Sequence, residues 1–183
     1  MLLAFAPFVA FAVSISALGS IGALLLGAAA SALVILYGVF TGRAAKILEI
    51  GSLALFAALA AFEYLSGARL SLFGAKFAVD LGLLLIVLIS MLIGKPFTMQ
   101  YARDDVPPAL WSSREFLRKN QMITAVWALA FLAMVLAELA MLLWPNLPQQ
   151  LPILVIVLAL VGAFKFTARM RKPGSARLQP DIR

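Results

Sequence analysis

Six predominantly apolar runs take up most of this chain: Leu2–Leu18, Ile21–Phe40, Lys46–Leu65, Phe77–Gly94, Met122–Trp144 and Leu151–Thr167. A helix crosses the hydrocarbon of a bilayer in roughly 20 such residues and satisfies its own backbone hydrogen bonds while doing so. Turn and stop signals separate the runs: Leu18-Gly19-Ser20, Thr41-Gly42-Arg43, Ser66-Gly67-Ala68-Arg69 and Pro145-Asn146-Leu147-Pro148. Of 183 residues, 64% are hydrophobic and 13% charged, with a mean hydropathy of +1.04, so there is too little polar surface to face water. The expected fold is all-α and polytopic. It comprises a six-helix transmembrane domain over residues 1–170, with a cytoplasmic loop at 95–121, and a basic cytoplasmic tail at 171–183. The first run has no basic segment before it and a second run follows at once, so it is expected to remain as a span rather than act as a cleaved signal peptide.

Charge sets the orientation. With the N-terminus inside, Arg43, Lys46, Lys95, Arg103, Arg114, Arg118, Lys119, Lys165, Arg169, Arg171, Lys172, Arg177 and Arg183 fall on the cytoplasmic side, and only Arg69 and Lys76 fall outside. That asymmetry is the positive-inside pattern and places both termini in the cytoplasm. It also accounts for the net charge of +7 without nucleic acid as a partner. The expected partners are the lipid bilayer, anionic headgroups at the cytoplasmic face, and other proteins or further copies of this chain.

Cysteine and histidine are both absent. Thiol nucleophiles, thiolate or imidazole metal sites, haem ligation by histidine and histidine-based acid–base catalysis therefore lose their usual residues. No phosphate-binding glycine loop or nucleophile elbow is present. Neither an enzyme, a metal site nor a cofactor is expected. Arg103-Asp104-Asp105 reads as a solvated turn ahead of Pro107-Pro108 rather than a catalytic acid pair.

Small residues mark packing faces. Gly27, Ser31, Gly38 and Gly42 lie along one face of the second run, and Ala12, Ser16 and Ser20 along one face of the first. The two faces are expected to meet within the bundle, or else to form a contact between copies. The 95–121 loop is patterned too. Lys95 and Pro96 end the fourth run, Tyr101 and Arg103 follow, and Trp111 suits a headgroup-level anchor. Ser112 and Glu115 fit a capping box that starts the fifth helix near Ser113.

Ionisable groups inside a bilayer are expensive and mark function by default. Glu63 closes the third run, Asp80 opens the fourth and Glu138 lies deep in the fifth. Counted from their cytoplasmic ends at 1.5 Å per residue, all three sit about 22 to 28 Å out, at similar depth. They are expected to converge on one outward polar cluster, with Arg69 and Lys76 as counter-ions. The neighbours of Glu138 on its helix, Met134, Val135, Met141 and Leu142, are apolar. Glu138 must therefore meet a partner, face a water-filled cavity or hold a proton. Glu49 and Lys165 lie toward the inner side, where Lys165 is expected to snorkel to the headgroups.

Gly94-Lys95-Pro96-Phe97, then Val106-Pro107-Pro108-Ala109-Leu110-Trp111, Asn120 and the stretch Thr124 to Phe131 with Trp127-Ala128 resemble the bacterial intracellular septation protein A family. The likeness covers the segment after the fourth run and part of the fifth. Two departures stand out: the longer loop holding Phe97 to Arg103, and Glu138 where an amide is typical of the family. The resemblance implies a non-enzymatic protein of the bacterial inner membrane, serving septation, envelope integrity or assembly with other membrane proteins. The competing expectation is a small proton-linked transporter or channel built on the intramembrane carboxylates. A water-filled cavity reaching Glu138 favours transport, and a dry Glu138 facing lipid or a partner favours assembly.

Overall fold

The computed structural model describes residues 2–144, 146–148 and 150–171. Pro145, Gln149 and the basic tail with Lys172, Arg177 and Arg183 lie outside the described residues. Every regular element described is helical: α1 (Ala6–Phe40), α2 (Ile47–Ser66), α3 (Leu72–Leu92), α4 (Phe97–Ala102), α5 (Arg114–Leu143) and α6 (Gln150–Arg171). Short 3₁₀ turns add Leu2–Phe5, Arg103–Asp105 and Pro108–Leu110. Among the described residues, five helices are long and apolar enough to cross a membrane, namely α2, α3, α5, α6 and the 38-residue stretch Leu3–Phe40.

That first stretch holds both of the first two apolar runs, and it is not a straight rod. At Gly19 the backbone takes φ 71 and ψ 179, a combination open essentially to glycine alone. On either side of the break the helix packs on the same ring. Phe8 and Phe11 lie 5.2 and 5.6 Å from Phe56, centroid to centroid, and a Cβ added at Gly27 would stand 2.7 Å from that ring. Along an unbroken helix Phe11 and Gly27 would be about 24 Å apart, beyond the reach of one side chain. The chain doubles back at Gly19, so α1 has two arms that both lie against α2.

From there the helices neighbour one another in chain order, α2 on α3, α3 on α5 and α5 on α6. Two apolar clusters fill the interior. One joins both arms of α1 to α2 and α3 around Phe56, Leu24 and Val79. The other joins α3, α4, α5 and α6 around Val87, Phe97, Trp127 and Phe131, and draws in Ala4 and Leu48. The polar side chains inside are spent locally: Ser31 Oγ donates to Gly27 O at 3.0 Å, Ser52 Oγ to Leu48 O at 2.6 Å and Thr167 Oγ1 to Ala163 O at 2.8 Å.

Several expectations change here. The small faces of the first two runs do not meet. Ala12 and Ser16 are exposed, whereas Gly27 and Ser31 are buried and the Gly27 side lies against α2. Gly38 instead makes room for the Arg43 guanidinium, 3.2 Å from where a Cβ would stand, and Gly42 is an exposed turn residue with φ 71. Helix α3 starts at Leu72, ahead of the apolar run, because Ser71 Oγ accepts from Gly74 N at 3.0 Å. Helix α5 is capped by Ser113, whose Oγ accepts from Phe116 N at 3.2 Å, and not by Ser112 with Glu115.

Gly27 is the tightest of these approaches that cannot relax cheaply, since Phe8 and Phe11 hem in the Phe56 ring. Gly27→Ala is expected to destabilise the protein by about 1–3 kcal/mol through overpacking. Gly162→Ala, where a Cβ meets nothing within 4 Å, is expected to leave stability unchanged or raise it slightly. Thermal unfolding of the two variants in detergent measures the difference.

Candidate functional site

Charged groups gather at two ends of the bundle, and the two gatherings differ in how completely they are paired. At the end where α2 begins, Glu49 is 2% exposed. Its Oε1 meets Arg43 Nη1 at 3.0 Å, its Oε2 accepts from the Lys46 backbone N–H at 3.2 Å, and the Tyr101 hydroxyl donates to Oε1 at 3.4 Å. Lys46 is buried, pairs with Asp104, and lies 4.2 Å over the Tyr101 ring. Burial, and after it the charge of Glu49, raise the Tyr101 phenol well above its ordinary value, so it remains a donor.

The segment after α3 is what brings these groups together. Ser90 Oγ accepts from Phe97 N at 3.2 Å, Thr98 Oγ1 donates to Asn120 O at 3.0 Å and lies 2.6 Å from Thr124 Oγ1, and Ile47 N donates to Gln100 at 2.7 Å. Pro96 opens α4 and is buried with Phe97, Thr98, Met99 and Tyr101, while Lys95 is exposed. Trp111 turns back on its own segment, its Nε1 donating to Val106 O at 2.8 Å with the Arg103 guanidinium 5.0 Å over the ring. Trp111 thus makes a folding contact within this segment. The acid pair is not merely a solvated turn either, because Asp104 holds Lys46 and Asp105 lies 3.7 Å from Arg171. This end is a structural lock.

At the opposite end the three expected acids part ways. Glu63 is 4% exposed and fully engaged: Ser20 Oγ donates to Oε2 at 3.0 Å and Leu70 N to Oε1 at 2.7 Å. It fastens the Gly19 turn to the α2–α3 connection. Arg69 is exposed and makes no ion pair among the described residues. The expected Glu63–Arg69 pairing gives way to neutral donors that lie closer.

Asp80 and Glu138 do converge. Together with Lys76 they line a cavity of about 730 Å³ bounded by the first arm of α1, by α3, α5 and α6. Glu138 is 4% exposed, and its Oε2 is buried without a hydrogen-bond partner among the described residues. Lys76 and Asp80 sit one turn apart on α3, the spacing at which side chains neighbour each other. The rest of the wall is apolar and rich in aromatic rings. Phe5 stacks on Trp127 at 5.0 Å, and Trp127 lies 5.5 Å from Phe131. A smaller cavity of about 440 Å³ continues past Phe5, Trp127 and Phe164 to Thr167 and Arg171.

The cavity opens sideways. Val9, Val161 and Phe164 on its rim are 59%, 45% and 49% exposed, which in a bilayer means facing lipid. Of the two outcomes weighed from the sequence, a cavity that reaches Glu138 is the one expected of transport, and an opening toward lipid is the one expected of assembly. Lys165 lines it as well. The Trp127 Nε1 to Thr167 Oγ1 bond of 2.9 Å fixes the register of α5 against α6, leaving Lys165 about 13 Å along the axis from the level of Glu138. Among the described residues no group of three or more acidic side chains could hold a metal ion.

Comparison with protein-family models, with curated proteins and with solved structures gives no match for this chain.

Sequence reasoning missed Arg43, Lys46 and Glu49 as a unit. The signal was present in Glu49 at the third position of α2, from which a carboxylate reaches back to the backbone N–H ahead of the helix, but its partner Tyr101 arrives from α4, far along the chain. Removing one member of a buried, paired set leaves an uncompensated charge, so Glu49→Ala is expected to cost about 3–5 kcal/mol. Arg43→Ala combined with Glu49→Ala should recover part of that loss, and a double-mutant cycle on thermal stability measures the coupling.

Proposed function

We propose that this chain is a small, non-enzymatic, proton-linked carrier of the bacterial cytoplasmic membrane, with six crossings and both termini in the cytoplasm. The topology rests on two supports. The reversal at Gly19 divides a 38-residue apolar stretch into two arms, each near the roughly 20 residues a crossing needs. The cations crowd the ends of the helices where Arg43, Lys46 and the α4 segment lie, as the positive-inside rule requires of a cytoplasmic face. The bacterial membrane is what the resemblance of the α4–α5 region implies.

The carrier reading is carried by Glu138. Burying a carboxylate without partners is costly, and an acid kept in such a place marks a proton or ligand site. Its oxygen, unpartnered among the described residues, borders a cavity shared with Asp80, and a carboxyl there can hold a proton and release it to water when a cation binds in its place. Glu49 and Glu63, by contrast, are already engaged and serve the fold.

A second reading, a septation-related or assembly partner of other envelope proteins, is favoured by the ordered cytoplasmic segment. Arg103, Val106 and Trp111 brace one another and leave Pro107, Pro108 and Leu110 exposed. Its measure is whether other subunits co-purify in mild detergent.

Infrared titration of the protein in lipid is expected to show a protonated-carboxyl band that Glu138→Gln removes with the fold intact; a spectrum indifferent to that change contradicts the carrier reading. Because the chain has no cysteine, single substitutions report topology without background labelling. Ala17→Cys, Ala68→Cys and Asn146→Cys are expected to react with an impermeant thiol reagent from outside, and Ala44→Cys and Ser112→Cys only after permeabilisation. Labelling of Ala17→Cys from the same side as Ala44→Cys would rule out the reversal within the membrane.

A further inference from the structure

The charges and rings around the large cavity specify what it can hold. Among the described residues four ionisable groups line it, and each described element of its wall can be accounted for. Helix α3 contributes Lys76 and Asp80, α5 contributes Glu138, α6 contributes Lys165, and the first arm of α1 contributes only apolar residues such as Phe8, Val9 and Phe11. Lys165 lies about 13 Å along the axis from the Glu138 level and is exposed at the cavity's inner part. The outer end therefore carries two carboxyls against one ammonium, an excess of one negative charge when both are ionised. Glu138 Oε2 is buried there with no partner among the described residues.

Beside that end the wall turns aromatic. Phe131 is two helical turns from Glu138 on α5, roughly 10 Å along the axis, and it lies in a continuous set of rings with Trp127 and Phe5. Aromatic faces attract cations and pack apolar bodies without hydrogen-bond demands. A volume of about 730 Å³ lies within the range of pockets that take drug-sized molecules. Access is lateral, past Val9, Val161 and Phe164, which are exposed where lipid would lie.

We propose that the cavity binds an amphiphilic organic monocation drawn from the bilayer, its charge set between Asp80 and Glu138 and its aromatic or alkyl body on Phe131, Trp127 and Phe5. This rests on the carrier reading and names its substrate class. The one bond broken is a carboxyl O–H: as the cation arrives the proton passes from the carboxyl pair to water, and the carboxylate it leaves balances the cation's charge. A neutral molecule of the same shape leaves the excess charge unmet, and an anion opposes it.

Tetraphenylphosphonium is a suitable probe, titrated by calorimetry or fluorescence against the full-length protein in lipid nanodiscs. Binding is expected to tighten as pH rises, because protons compete for the same carboxyls. Glu138→Gln and Asp80→Asn should each weaken it at least about tenfold. Phe164→Ala, at the half-exposed rim, should weaken it several-fold by loss of aromatic contact. The infrared titration of Glu138 is run on the same samples. Failure of the phosphonium to bind a protein whose Glu138 carboxyl still titrates overturns the substrate class and leaves the carrier reading standing. A Glu138 that does not titrate overturns both. Binding unmoved by either acid substitution, or binding of dodecyl sulfate that Lys165→Gln abolishes, overturns the cation site.

Discussion

A carboxylate in hydrocarbon has to be met by hydrogen-bond donors, by a cation or by a proton, and the three buried glutamates of this chain meet that demand in three ways. Glu49 is held by Arg43, by the Lys46 backbone and by Tyr101. Glu63 is held by a serine hydroxyl and a backbone N–H. Glu138 has an oxygen with neither among the described residues. The first two tie distant pieces of chain together at opposite ends of the bundle. The third borders a cavity whose far wall comes from another part of the chain.

That cavity is a consequence of how the first apolar stretch folds. The break at Gly19 lays the first arm of α1 across α2, with Phe8 and Phe11 on Phe56, while Phe5 reaches Trp127 on α5. The arm thereby becomes one wall of a space whose other walls are α3, α5 and α6. The lock at the α2 start has the complementary effect. By folding α4 into the bundle and tying Asp104 to Lys46, it fixes the ends of α2, α3 and α5 on that side. Rigid packing at one end and an open, apolar groove toward the other suit a protein that admits molecules from the bilayer.

Much of this was legible in the sequence, because in a membrane the pattern of apolar runs and the polarity of their ends are governed by the same solvent. The apolar runs, the turn at Gly19, the interior place of Glu138 and its company with Asp80 and Lys76 all follow from period, punctuation and depth. Depth alone could not separate Glu63 from the other two acids, since azimuth around the helices depends on packing. It turned Glu63 toward Ser20 and Leu70, away from Arg69. Nor could sequence show that the 95–121 segment folds inward. Its apolar residues are few and spaced by polar ones, and only the third dimension brings Tyr101 and Asp104 onto Glu49 and Lys46. The aromatic wall was hidden for the same reason: Phe5 belongs to the first run and Trp127 and Phe131 to the fifth.

The claim that Glu138 alone among these glutamates is free and reachable from lipid can be tested with a membrane-soluble carbodiimide, which modifies protonated carboxyls in apolar surroundings, followed by mass spectrometry of the modified positions. The account predicts modification at Glu138 with Glu49 and Glu63 spared, and slower modification at high pH as the acid loses its proton. Modification of Glu49 or Glu63 with Glu138 untouched would contradict it.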